Sequence, residues 1–122
     1  MMYLCLGYLN SAKMDARPKA EIEAVMSQCQ PHLDEFYRSG QVRMDAGVEL
    51  EMIGLQRENG QIVVTDSSSA KTEESLGSVF LLEAKDMEDA IRVASLHPTV
   101  QIPEGEHFDW RIEIRPVHYL KQ

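Results

Sequence analysis

Two nearly continuous apolar segments lie far apart in this chain, and they constrain its fold more than any other feature. One covers Tyr3–Leu9 and the other covers Leu76–Glu83. Each is too short for a helix that is apolar all round, so each is predicted to be a β-strand buried on both faces. Strands of this kind belong in the centre of a sheet that is covered on two sides.

The rest of the chain predicts a mixed order of helices and strands. Apolar residues at helical spacing predict a helix that starts at Pro18 and stops at Gly40, with a kink or break near Gln30 because Pro31 interrupts it. Asp86 is typical of an N-cap, and the second helix that follows it ends at His97-Pro98. Further strands are predicted at Val42–Asp45, Leu50–Arg57, Gln61–Thr65 and Trp110–Arg115, a tight hairpin turn at Asn59-Gly60, and polar connections at Asn10–Pro18, Asp66–Ser75 and Thr99–Asp109.

This element order predicts an α+β fold with two helices on one face of the sheet. Two helices cannot cover both faces, yet two strands are predicted to be buried on both. The same face of a second copy is the simplest cover, so the pattern predicts a homodimer through the sheet face. At 122 residues, the chain is predicted to be a single domain over residues 1–122.

Composition excludes several classes of partner. The formal net charge of −8, from 12 Lys+Arg and 20 Asp+Glu, argues against nucleic acid and against anionic membrane surfaces. No apolar run reaches the roughly 20 residues that cross a bilayer, and no signal peptide is recognised. Two cysteines, Cys5 and Cys29, are no disulfide scaffold and favour a cytoplasmic protein. No metal-ligand spacing or phosphate-binding glycine loop occurs, so no metal or cofactor is predicted.

The stretch from Val64 to Glu83 resembles the signature of the DGPF-type YCII-related proteins. In that family a strand is followed by Thr-Asp-Gly-Pro-Phe, then by Ala-Glu-Thr-Lys-Glu-x-Leu-Gly-Gly-Phe and an apolar strand. This chain keeps Thr65-Asp66 but has Ser67-Ser68-Ser69 in place of Gly-Pro-Phe. The opening strand at Met2–Leu6, the helix before His97-Pro98 and the closing Ile112–Val117 are similar to family elements in the same order.

The resemblance implies a ferredoxin-like two-layer sandwich that dimerises through its sheet, an arrangement called a dimeric α/β barrel. It also implies several candidate roles. Related proteins are suspected of catalysis through a histidine–aspartate pair in a cleft between sheet and helices, and at least one relative is a dehalogenating lyase. Many DGPF-type members look like companions of sigma-factor regulation.

Asp66 and His97 are the candidate catalytic residues. Asp66, at a strand end, is predicted either to be a general base at the mouth of a cleft or to form an Asx-turn with the backbone amides of Ser68 or Ser69. His97 is predicted either to transfer protons or to be a cation that contacts the last carbonyls of the preceding helix. Arg111 and Arg115 could bind an anion, but charge pairing on an exposed face is the preferred interpretation.

Two functions from different classes remain open. The first is an enzyme that uses Asp66, with His97, for proton transfer on a small polar molecule. It would have a cleft into which Asp66 and a second titratable group converge. The second is a non-catalytic module that binds a small ligand or a partner protein, and its pocket would lack such a pair.

Overall fold

The computed structural model describes residues 1–66 and 74–122, and these residues form an α+β structure. In this part of the chain, no helix combines the length and the apolar character that crossing a bilayer requires. In chain order the elements are β1 (Met2–Leu9), α1 (Ser11–Asp15), α2 (Lys19–Met26), α3 (Cys29–Arg38), β2 (Val42–Gly47), β3 (Ile53–Glu58), β4 (Gln61–Asp66), β5 (Ser75–Glu83), α4 (Met87–Ala94), α5 (Pro98–Gln101), a 3₁₀ turn (Pro103–Glu106) and β6 (Arg111–Pro116).

Four strands form an antiparallel main sheet in the order β2-β5-β1-β6. Its central pair is β1 and β5, the two strands that the apolar segments predict. Their register places Cys5 opposite Phe80 and Leu4 opposite Leu81. The first strand of the chain is therefore paired on both sides with strands from the second half.

The helices cover one face of the main sheet. Cys5 of β1, with Phe80 and Leu82 of β5, is buried there against Phe36 of α3. The N-cap predicted for α4 is confirmed, because the carboxylate of Asp86 accepts a hydrogen bond of 2.8 Å from the amide of Asp89. The buried face of α4 consists of small and β-branched residues, namely Ala90, Val93 and Ala94.

The opposite face of the main sheet is only partly covered in the single chain. Leu4, Leu6 and Val79 are half-buried there, and Leu81 is buried. None of these four side chains belongs to the two hydrophobic clusters that the helices close over the described residues. We call this surface the open face, and it comprises Leu4, Leu6, Val79, Leu81 and, at the β2 edge, Met44.

The first predicted helix is two helices. α2 ends at Met26 and α3 begins at Cys29, so the chain breaks slightly before the predicted position near Gln30. Pro31 lies in the first turn of α3. The backbone N–H that proline lacks would have no intrahelical acceptor there, so the proline costs the helix little.

Two predicted polar connections contain a helix each. Together with the division of the first predicted helix into α2 and α3, this corrects the expectation of two helices to five in the described residues. Between β1 and Pro18, Ser11–Asp15 forms α1, because the side chain of Asn10 accepts a hydrogen bond of 3.0 Å from the amide of Lys13. The connection after His97 contains α5 and a 3₁₀ turn. Such short, capped helices have too few residues to show an apolar period.

Along the chain, β3 and β4 follow β2 and precede β5. They form a separate two-stranded sheet, whereas the sequence predicts that these strands form a meander. The tight turn at Asn59-Gly60 is confirmed, since both residues have the positive φ that such a turn requires, 49° and 79°. β3 begins at Ile53 rather than at the predicted Leu50. We call this hairpin, residues 53–66, the arm.

Candidate functional site

A cavity of about 340 Å³ lies where one end of the main sheet meets the helices. Tyr8, Asp45 and Ser78 come to its wall from β1, β2 and β5, and His97 comes from the start of α5. A cavity of this size and composition suits a small molecule that a few polar groups orient. Much of the remaining wall is apolar, with Leu9, Met14, Met26, Cys29, Leu33 and Trp110.

His97 is held rigidly at this wall. Its side chain is 5% exposed and caps α5, because Nδ1 accepts a hydrogen bond of 3.1 Å from the amide of Thr99. The imidazole stacks on Phe80 with 4.7 Å between ring centroids and 9° between ring planes. Phe36 meets the imidazole edge to face at 5.0 Å. These three contacts fix both the position and the rotation of the ring.

The protonation state of His97 follows from its surroundings. Burial lowers the pKa of His97 from 6.5 to about 4, although the Asp45 carboxylate acts in the opposite direction. The ring is therefore neutral at pH 7. Since Nδ1 accepts a hydrogen bond, the single ring proton is on Nε2. The predicted alternative of a cation at the end of α4 is wrong, because a buried neutral ring caps the next helix instead.

The Nε2–H group of His97 donates to no acceptor among residues 1–66 and 74–122, and the Nε2 atom is open to solvent, because Trp110 Nε1 is the one fully buried side-chain donor there that lacks a partner. His97 therefore contributes to the cavity wall a fixed, neutral N–H group that an oxygen atom of a ligand can satisfy.

Asp45 is the carboxylate that β2 brings to the same cavity. Its position on β2 is opposite Phe80, the residue on which His97 stacks. Asp45 accepts a hydrogen bond from the hydroxyl of Tyr37, which raises the pKa of Tyr37 to about 12. The sequence carries no signal for Asp45, because its proximity to His97 depends on which strand neighbours β5.

Asp66 lies elsewhere in the described structure. It is an exposed residue at the end of β4, opposite Ile53 in the arm, and it is not among the described residues that line the cavity. The structure thus brings Asp45, rather than Asp66, to the cavity with His97. The Asx-turn predicted with Ser68 or Ser69 lies outside the described residues, as does the altered Ser67-Ser68-Ser69 segment.

The arginines of β6 form charge pairs, as the preferred interpretation predicts. Arg111 donates two hydrogen bonds of 2.7 Å to the carboxylate of Glu74 and a third, of 3.1 Å, to Glu113. Arg115 pairs with Glu113 at 3.3 Å. With carboxylates already bound to their guanidinium groups, these arginines are poorly suited to hold an anionic ligand.

The two cysteines are poor nucleophiles. Both are free thiols, and burial raises the pKa of both, that of Cys5 to about 12. The reactive thiolate form is therefore scarce at neutral pH. Where the structure describes the chain, no three His, Cys, Asp or Glu side chains gather as a metal site would require.

Comparison with known families places this cavity in a defined domain. Residues 1–113 match the family model of the YCII-related domain. This chain belongs to the YCII-related domain family. All the described residues that line the cavity, from Gly7 to Trp110, lie within the YCII-related domain. A comparison with curated proteins finds no match to the chain.

Proposed function

We propose that this YCII-related protein binds a small, uncharged and largely apolar molecule in the cavity beside His97. The molecule carries a hydrogen-bond acceptor such as a carbonyl oxygen. The observation that supports this most strongly is the Nε2–H group of His97, which is neutral, fixed in orientation and without an acceptor in the described residues. An acceptor on the ligand would take the hydrogen bond that this donor otherwise gives to water.

Two further features support the same class of ligand. Trp110 also lines the cavity, and its Nε1–H group is buried without a partner among the residues described. The carboxylate of Asp45 at the wall, with a formal net charge of −8 for the whole chain, disfavours an anion. An uncharged oxygen acceptor on an apolar body meets both conditions.

Binding is favoured over proton transfer by the chemistry of His97. At neutral pH its Nε2 already carries a proton and its Nδ1 lone pair accepts the Thr99 amide, so neither nitrogen is available as a base. The described wall also lacks Asp66. A pocket without the Asp66–His97 pair is what the sequence predicts for a binding module. Acid–base catalysis by Asp66 and His97 stays a prediction.

Filling the cavity is expected to abolish binding. Gly47 lines the cavity, and a Cβ atom added there comes only within 4.0 Å of the carbonyl oxygen of Gly77. The side chain in Gly47→Leu can therefore occupy the cavity without backbone strain. We expect this variant to bind small ketones and esters at least about tenfold more weakly than the wild type, since their space is taken.

The fluorescence of Trp110, the single tryptophan of the chain, measures this binding directly. The matched control is Gly47→Ala, which adds one methyl group and is expected to keep the wild-type affinity. Equal affinities for Gly47→Leu and the wild type would contradict the location of the ligand. A panel of small ketones and esters that leaves the fluorescence unchanged at millimolar concentration would contradict the proposed ligand class.

A second candidate function is an enzyme that removes a proton next to a carbonyl group. The observation that favours it is the presence of Asp45 with His97 at one cavity, close enough to influence the pKa of His97. A neutral histidine can polarise a carbonyl while a carboxylate removes the adjacent proton. If so, the protein exchanges α-protons of a bound ketone with D₂O, and Asp45→Asn is expected to slow the exchange about 100-fold or more, as NMR can measure.

This measurement separates the two functions. Exchange at the uncatalysed rate, together with a change in Trp110 fluorescence on ketone binding, would support the binding module. Exchange that Asp45→Asn leaves unaltered would contradict the enzymatic role of Asp45.

We also propose that the domain has the ferredoxin-like layout of the DGPF-type proteins and forms a homodimer through its open face, which gives a dimeric α/β barrel in the cytoplasm. The strand order β2-β5-β1-β6, with helices on one face, supports the layout. The half-buried Leu4, Leu6 and Val79 support cover by a second copy, because burying apolar area stabilises association.

A further inference from the structure

The arm exposes four large apolar side chains on one of its two faces. The register pairs Leu55 with Val64 and places Ile53 and Ile62 on the same side. We call these four residues the arm's apolar face; they are between 63% and 71% exposed, and Arg57 and Asp66 lie on the same side at its two ends. The other face is mostly polar and comprises Gly54, Gln56, Glu58, Gln61, Val63 and Thr65.

This amphipathic pattern indicates a surface that is covered in the functional protein. Alternation of apolar and polar residues along both strands is typical of a sheet with one buried face. A two-stranded hairpin by itself is marginally stable in water. The described strands of the main sheet do not pair with the arm, so its apolar face has no cover within the described part of the single chain.

We propose that the arm's apolar face packs against the open face of a second copy of this chain. The inference rests on the homodimer proposed above and adds a second contact to it. Each chain carries two partly uncovered apolar surfaces, the arm's apolar face and the open face with Leu4, Leu6 and Val79. In a twofold dimer each copy offers both surfaces to the other, so a single symmetric interface covers all of them.

The area of this contact is sufficient for a stable dimer. With roughly 100 Å² for each large apolar side chain, and about two-thirds of it exposed, the arm's apolar face buries about 300 Å² of its own surface. The partner buries a similar area, and the twofold axis repeats the contact. The arms therefore account for about 1,200 Å² in total, which is the lower end of the range for specific interfaces.

Removing the apolar side chains of the arm is expected to weaken the dimer. The double variant Leu55→Ser/Val64→Ser changes one cross-strand pair, which occurs twice in a symmetric dimer. We expect its dimer dissociation constant to rise about 100-fold or more. Sedimentation equilibrium and light scattering over a range of protein concentrations measure this constant. An unchanged dissociation constant would overturn the proposal.

The matched control is Gln56→Ser/Thr65→Ser, which changes the opposite face of the same hairpin and is expected to dimerise like the wild type. Amide hydrogen exchange of the wild type gives a result that does not depend on how any variant folds. Protection of the β3 and β4 amides is expected to rise as the protein dimerises. Arm amides that stay unprotected in the dimer would overturn the proposal and leave the arm for a different partner.

Failure of this inference is distinguishable from failure of the proposal on which it rests. A wild-type protein that is monomeric at all concentrations contradicts the homodimer and the arm contact together. A dimer that Leu55→Ser/Val64→Ser does not weaken contradicts the arm contact alone. Ligand binding measured by Trp110 fluorescence tests the cavity independently of both.

Discussion

Phe80→Ala is expected to lower the free energy of unfolding by about 4 kcal/mol. Phe80 is fully buried on the central strand β5. Its ring meets Phe36 edge to face at 5.0 Å and stacks on His97 at 4.7 Å. The truncation therefore opens a void in the main core cluster and removes two ring contacts at once. Denaturant titration at pH 7.5, followed by far-ultraviolet circular dichroism, measures the loss.

The control for this prediction is Ile91→Ala on α4. Ile91 is also a large apolar residue, but about half of its surface is exposed, so its truncation is expected to cost less than about 1 kcal/mol. A loss under about 2 kcal/mol for Phe80→Ala would mean that the core can close around the missing ring, contrary to the central place that we give it.

Acidification from pH 7 to pH 4 is expected to remove up to about 3 kcal/mol of stability through His97 alone. Its pKa is about 4 in the folded protein, against a reference value of 6.5. The unfolded chain thus takes up the proton first as the pH falls. The contribution of His97 is fully present above pH 6.5, declines between pH 6.5 and pH 4, and is lost below about pH 4.

Comparison of the wild type with His97→Asn isolates this effect. The asparagine does not titrate, and its side-chain oxygen can still accept the Thr99 amide at the N-cap of α5. We expect the variant to lose less stability than the wild type between pH 6.5 and pH 4. Carboxylates such as Asp89 and Asp109, whose pKa neighbouring groups lower, titrate in both proteins. Equal slopes for wild type and His97→Asn would contradict the buried neutral ring.

The elements that local patterns specify could be predicted from the sequence. The apolar segments predicted the central strands β1 and β5, because a short, continuous apolar run is typical of a strand that is shielded from water on both faces. Asn59-Gly60 predicted the hairpin turn, because these residues tolerate positive φ. Asp86 predicted the start of α4, because its side chain caps the helix. In each case the deciding interaction spans only a few residues.

The candidate site could be predicted only in part, because it depends on contacts between distant segments. The sequence singles out His97 but not its burial against Phe36 and Phe80, which sets its charge. Asp45 reaches the cavity because β2 pairs with β5, and no local pattern in either segment predicts that pairing. The separation of the arm from the main sheet likewise depends on the choice of strand partners, which apolar alternation does not determine.

The strand order has a consequence for how this protein is made. β1 is synthesised before both of its neighbours in the sheet, because Cys5 in its middle pairs with Phe80 on one side and Ile114 on the other. At roughly 5–20 residues per second, β1 waits on the order of 5–20 seconds for the second of these partners. Until β6 is made, one edge of the apolar strand β1 is unpaired, and chaperones can bind it. A chain that ends before Arg111 lacks β6, so this edge of β1 stays open and favours aggregation.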